Sequence, residues 1–137
     1  MAVMTIAKPR VLVVDDEPDI NLTFKTGLEA NGFIVDAFSD PILALSNFKP
    51  GVYDLLLLDV RMPQINGFEL YEKFRRIDSN VKACFITSHD VYYQSLKEIF
   101  PASMEMLLSG AKGVLRKPIS IDDLKETVER FRRDGDQ

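Results

Sequence analysis

Five side chains in this sequence suit one reaction between them. Asp15 and Asp16, followed by Glu17, close the apolar run 11–14; Asp59 closes the run 55–58. Thr87, followed by Ser88, closes 83–86, and Lys117-Pro118 follows Leu115-Arg116. Crowded aspartates repel one another, which raises the pKa of one or more of them. A hard divalent cation relieves that repulsion. Few carboxylates, completed by a carbonyl and waters, describe magnesium better than a calcium cage. A carboxylate can also attack phosphorus to give an acyl phosphate. A cation, a lysine and a hydroxyl then stabilise the phosphoryl oxygens during transfer. These are the residue types of phosphoryl capture on an aspartate. Taken singly, each has an ordinary explanation. Asp15-Asp16-Glu17 could cap a helix, where negative charge suits the dipole; Thr87 could be a turn hydroxyl and Lys117 a solvated surface lysine. Their joint occurrence at four run ends favours the chemical reading.

That reading requires the runs to be neighbouring strands. Residues 10–14 form a valine-rich run expected of a buried strand. Pro18 then opens a helix with Ile20, Phe24, Gly27 and Leu28 on one face, and Asn31-Gly32 ends it. Residues 33–37 read as a second strand. Asp40-Pro41 is an N-cap followed by a favoured first position, with Ile42, Leu45 and Phe48 as the expected apolar stripe. The third strand, 53–58, is the most apolar and therefore central. The third helix, 67–77, is expected to turn Leu70, Phe74 and Ile77 inward. A fourth strand follows at 81–86. A fourth helical pattern at 91–100 is interrupted by Pro101, and 102–108 reads as a second short helix. Residues 113–116 are the fifth strand. Ser120 caps a last helix with Ile121, Leu124, Val128 and Phe131 inside. Five strand–helix repeats imply a parallel sheet with helices on both faces. In such sheets ligands bind beyond the C-terminal strand ends, where the five residues lie.

Composition narrows the function. A chain of 137 residues suits one domain, with 46% hydrophobic residues supplying a core that a disordered chain lacks. The expected boundaries are a flexible lead-in at 1–9, the domain at 10–133 and a frayed tail at 134–137. The only cysteine, Cys84, excludes a disulfide scaffold and is expected as a buried, inert thiol. A net charge of −4 argues against direct nucleic-acid binding. No apolar run reaches the roughly 20 residues of a membrane helix, and no signal peptide is evident, so a cytoplasmic location away from membranes is expected.

At this point the residues carry a resemblance. Val11-Leu12-Val13-Val14-Asp15-Asp16-Glu17, then Leu57-Leu58-Asp59-Val60-Arg61-Met62-Pro63-Gln64-Ile65-Asn66-Gly67, then Thr87, then Lys117-Pro118 resemble the receiver domain of two-component response regulators, from about residue 10 to 133. The resemblance implies a flavodoxin-like, doubly wound five-stranded sheet of order 2-1-3-4-5. It implies Asp59 as phosphoacceptor and Mg2+ as cofactor, held by Asp16, Asp59 and the Arg61 backbone carbonyl, with Asp15 acting through water. Thr87 would hydrogen-bond the phosphoryl group and Lys117 would pair with it. Pro63 and Gly67 would shape the loop after the third strand, and the Lys117-Pro118 bond would be cis. The implied partners are a sensor histidine kinase or phosphotransfer protein and an output protein. The output protein would dock on the face made by the fourth helix, fifth strand and fifth helix, through which a homodimer could also form. With no effector domain after Arg133, either a stand-alone receiver or a piece of a larger regulator is expected: in both cases a signalling switch that assists its own phosphorylation and dephosphorylation rather than a turnover enzyme.

Two features depart from the family. Val114 stands three residues before Lys117, where many receivers carry the aromatic half of a Thr–aromatic switch. Thirty positions separate Thr87 from Lys117, more than the usual span, with the extra residues around 92–108. His89 and Arg61, near the proposed site, are candidates for tuning acyl-phosphate hydrolysis. Tyr92 and Tyr93 are candidate partner contacts. Two alternatives stay open. A pseudo-receiver would bind partners without phosphorylation; the intact acidic set argues against it. An aspartate-nucleophile phosphohydrolase usually has an acid/base aspartate two residues after the nucleophile, where this sequence has Arg61.

Overall fold

The computed structural model describes residues 8–87 and 111–135. Its strands are β1 (Arg10–Val14), β2 (Ile34–Phe38), β3 (Leu55–Asp59), β4 (Ala83–Thr87) and β5 (Ala111–Arg116). They pair in parallel in the order β2-β1-β3-β4-β5, as expected for a doubly wound sheet. Strands β2, β3 and β4 each begin one or two residues later than the sequence pattern suggests. Just before β3, the Tyr53 hydroxyl donates to the Asp36 carboxylate of β2 at 2.7 Å.

Alternate residues of the central strands face opposite layers. Leu12, Val14, Leu56, Leu58 and Phe85 pack towards α2 (Pro41–Asn47) and α3 (Gly67–Ile77). Val11, Val13, Leu55, Leu57, Cys84 and Ile86 pack towards α1 (Pro18–Glu29) and the C-terminal helix (Ile121–Gly135). With both faces covered, β1 and β3 read as unbroken apolar runs rather than alternating ones. Cys84 is buried, as its place in β4 suggested.

The caps are local. The Asp40 carboxylate accepts from the Ile42 amide at 2.8 Å, and the Ser120 hydroxyl from the Asp123 amide at 3.1 Å. Gly32, with φ at 90°, supplies the left-handed residue after α1.

Two expected inward residues are not inward. Ile42 is 55% exposed and Ile77 is 44% exposed. In α2 Pro41 and Ala44 are buried in place of Ile42, while Phe48 is buried as expected and Leu45 packs partly buried against the same cluster. In α3, adding one turn to Phe74 reaches Asp78, not Ile77. The Asp78 carboxylate accepts from the Gly51 amide at 2.9 Å. At the chain ends, the Pro9 carbonyl accepts from the Ile34 amide at 2.9 Å, and the last helix runs two residues past Arg133. Residues 1–7, the fourth helical pattern, His89, Tyr92, Tyr93 and the Phe131 side chain lie outside the described residues.

Candidate functional site

The sheet ladder extends one step past the strands, and it carries the site residues with it. The Asp15 amide donates to the Phe38 carbonyl at 3.2 Å, the Val60 amide to the Ile86 carbonyl at 2.9 Å and the Lys117 amide to the Thr87 carbonyl at 2.7 Å. Asp15, Asp59, Thr87 and Lys117 are therefore held by backbone bonds at adjacent strand ends. The Lys117-Pro118 bond is cis.

Lys117 is the cationic centre. Its ammonium lies 2.7 Å from Asp15 Oδ2, 3.5 Å from Glu17 Oε1 and 3.8 Å from Asp59 Oδ2. Burial alone would lower its pKa, but the Asp15 hydrogen bond and the Asp59, Asp15 and Glu17 charges outweigh that and raise it. The acids outnumber the lysine. Carboxylate oxygens of Asp15, Asp16 and Glu17 lie within 4.8 Å of one another. The converging trio thus includes Glu17, while Asp59 sits beside it. Asp59 is buried, and its pKa is pushed up to about 8. Desolvation is the main cause, followed by the Asp15 charge; Lys117 opposes both, and a hydrogen bond with the Asp16 carboxyl adds to the rise. Two carboxyl groups can share a hydrogen bond only if one holds a proton. A divalent cation would take the place of that proton and satisfy more acids at once, so the donor set fits Mg2+.

Thr87 contributes a buried hydroxyl with no hydrogen-bond partner among the described residues. A phosphoryl oxygen would supply an acceptor. Arg61 is exposed at the rim. Beside Asp16 lies an open cavity of about 220 Å³, lined also by Ser39, Asp40, Pro41, Pro63 and Gln64.

Gly67 has a steric reason. A Cβ there would press on the Asp59 carbonyl oxygen, reach 3.0 Å from its carbonyl carbon and sit 3.2 Å from Val60 Cα. These are backbone atoms, and the Gly67 amide is tied to the Val60 carbonyl at 3.0 Å. We expect Gly67→Ala to lower stability by about 2 kcal/mol, the scale of overpacking, measured by urea denaturation. Displacement of the Asp59 backbone should slow phosphorylation in the same variant.

A family model, the response regulator receiver domain, matches residues 11–129. The chain belongs to the response regulator receiver family. Receiver domains are phosphorylation-dependent signalling switches that work with histidine kinases or phosphotransfer proteins; they are not typical enzymes. This receiver is similar to the transcriptional regulatory protein PrrA of Mycobacterium leprae, 30% identical over 93% of this chain and 52% of that protein. It also resembles the response regulator TrrA of Thermotoga maritima, solved in complex with Mg2+ and BeF, at 31% identity and a TM-score of 0.71, covering 90% of this chain and 98% of that one. The CheY-like receiver of Methanospirillum hungatei, 24% identical with a TM-score of 0.77 over 95% of this chain and 98% of that one, shares the fold. The chain spans about half or less of the length of the curated relatives it matches. No helix among the described residues is long and apolar enough to cross a membrane.

The sequence reading of this receiver passed over Asn21. Asn21 sits between Ile20 and the buried Phe24 in α1, three residues before Phe24 and seven before Leu28. That spacing belongs to the apolar stripe, so an amide there was a legible signal. Val114 pairs in register with Phe85, where the usual aromatic would stand.

Proposed function

We propose that Asp59 is the phosphoacceptor of this receiver and that Mg2+ is held by Asp16, Asp59 and the Arg61 backbone carbonyl, with Asp15 acting through water. The observation that carries this is the convergence on Lys117 of the buried Asp15 and Asp59 carboxylates, with Asp16 and Glu17 beside them. Bound Mg2+ would neutralise the carboxylates and the phosphoryl oxygens. The ionised Asp59 carboxylate attacks phosphorus, forming the O–P bond as the N–P bond of a phosphohistidine breaks; the imidazole nitrogen leaves with the electron pair. Lys117, already 3.8 Å from Asp59 Oδ2, follows the phosphoryl charge as it arrives. The buried Thr87 hydroxyl, without a partner among the described residues, donates to a phosphoryl oxygen. Positioning and charge stabilisation supply the catalysis, as phosphoryl transfer requires.

The donor would be a sensor histidine kinase or phosphotransfer protein in the cytoplasm. The output would pass through the face containing β5 and the C-terminal helix. Intact mass after incubation with a small acyl-phosphate donor tests the site. We expect one phosphoryl adduct with Mg2+ and none with a chelator. Retention of the adduct in chelator would remove the metal from the mechanism. Magnesium binding without an adduct from either a small donor or a kinase would favour the pseudo-receiver.

A further inference from the structure

We infer that Asn21 is a positioning residue for the metal-binding turn; this rests on the Mg2+ site proposed above. Asn21 is 5% exposed, in the first turn of α1. Its Nδ2 donates to the Asp15 carbonyl at 2.7 Å and to the Ser39 hydroxyl at 3.1 Å. Its Oδ1 is buried without a partner among the described residues. Burying a half-satisfied amide costs free energy that an apolar side chain at the same stripe position would not. Core packing therefore does not explain the residue, but its two donated bonds do.

Those bonds join two loops that border one opening. Asp15 and Asp16 occupy the turn after β1. Ser39 and Asp40 occupy the turn after β2 and line the cavity beside Asp16. The remaining polar groups of Asp15 are committed elsewhere. Its amide goes to Phe38, its Oδ1 accepts from the Glu17 amide at 2.9 Å, and its Oδ2 pairs with Lys117. The Asn21 bond to the Asp15 carbonyl thus fixes the peptide plane that leads into Asp16. Without it that plane can rotate, and the Asp16 carboxylate loses its orientation while the rest of the sheet end stays tied. Groups that orient metal ligands through a hydrogen bond commonly change affinity about tenfold or more when removed.

The test uses the whole chain with Mg2+ alone as probe, by calorimetric titration, alongside thermal unfolding in chelator and exchange of the Glu17 amide. Asn21→Leu, of similar volume, is expected to weaken Mg2+ binding about tenfold and speed Glu17 amide exchange. Its metal-free unfolding temperature should match or exceed that of the wild type. Phosphorylation of the variant should recover at saturating Mg2+. A Kd within twofold of wild type in a folded Asn21→Leu variant overturns the inference, as does a weakened site matched by a lowered metal-free unfolding temperature. Should Asn21→Leu not fold, Asn21→Ala removes the same bond to the Asp15 carbonyl, and an unchanged Kd there is equally fatal. Absence of saturable Mg2+ binding in the wild type would instead remove the metal reading beneath it.

Discussion

Asp59→Asn is expected to abolish phosphoryl labelling by a small acyl-phosphate donor, read as loss of the single adduct by intact mass. The rate should fall by several orders of magnitude, because the variant lacks the attacking oxygen rather than a supporting contact. The nearest fully buried carboxylate is already committed. Asp15 is engaged twice, by the Glu17 amide through Oδ1 and by Lys117 at 2.7 Å through Oδ2. Asparagine keeps the shape of aspartate, so a folded, unlabelled variant separates chemistry from collapse. An adduct that persists would move the acceptor to Asp15 or Asp16. Consumption of the donor by wild type without an adduct would revive the phosphohydrolase, in which Asp59 turns over instead of storing phosphate.

Much of this candidate site was legible because Asp15, Asp59 and Thr87 each follow an apolar run. Val11–Val14 and Leu55–Leu58 can only be buried strands, so Asp15 and Asp59 had to emerge at one sheet edge. The pairing inside the site was not legible in the same way. Which acid Lys117 prefers depends on tertiary distances: Asp15 at 2.7 Å over Asp59 at 3.8 Å. The convergence of Glu17 with Asp15 and Asp16 likewise depends on the geometry of a turn. The misplacement of Ile42 and Ile77 shows the same limit from the apolar side. Helical spacing permits two adjacent stripes on a short helix, and only the neighbouring surface chooses between them. Asn21 broke the apolar period of α1, yet its partners, Asp15 and Ser39, come from two loops that only the fold brings together.

The pKa of Asp59 leads to the second large effect, a pH-dependent stability of the metal-free protein. In the unfolded chain this carboxyl has an ordinary pKa of 3.8; in the fold it is pushed up to about 8. Below the first value both states hold the proton, and the group exacts no penalty. Between the two values the unfolded chain has released its proton and the native state has not. The unfolded state then binds fewer protons, so stability falls as pH rises. Across that window the loss attributable to Asp59 is on the order of a few kcal/mol. Lys117, whose pKa is also raised, stays charged throughout and adds no slope there. Asp59→Asn has no proton to release. In chelator, its stability relative to wild type should therefore grow steadily from pH 4 to pH 8, as measured by urea midpoints. Parallel profiles for the two proteins would mean that Asp59 ionises freely in the fold. Magnesium should reverse the order, because it binds the ionised carboxylate that burial disfavours and stabilises the native state by mass action. Wild type would gain stability from the ion at pH 8, and Asp59→Asn, short of one ligand, would gain less. On the proposed chemistry, the same burial that makes Asp59 costly to ionise alone would couple its readiness to attack phosphorus to the arrival of the cation.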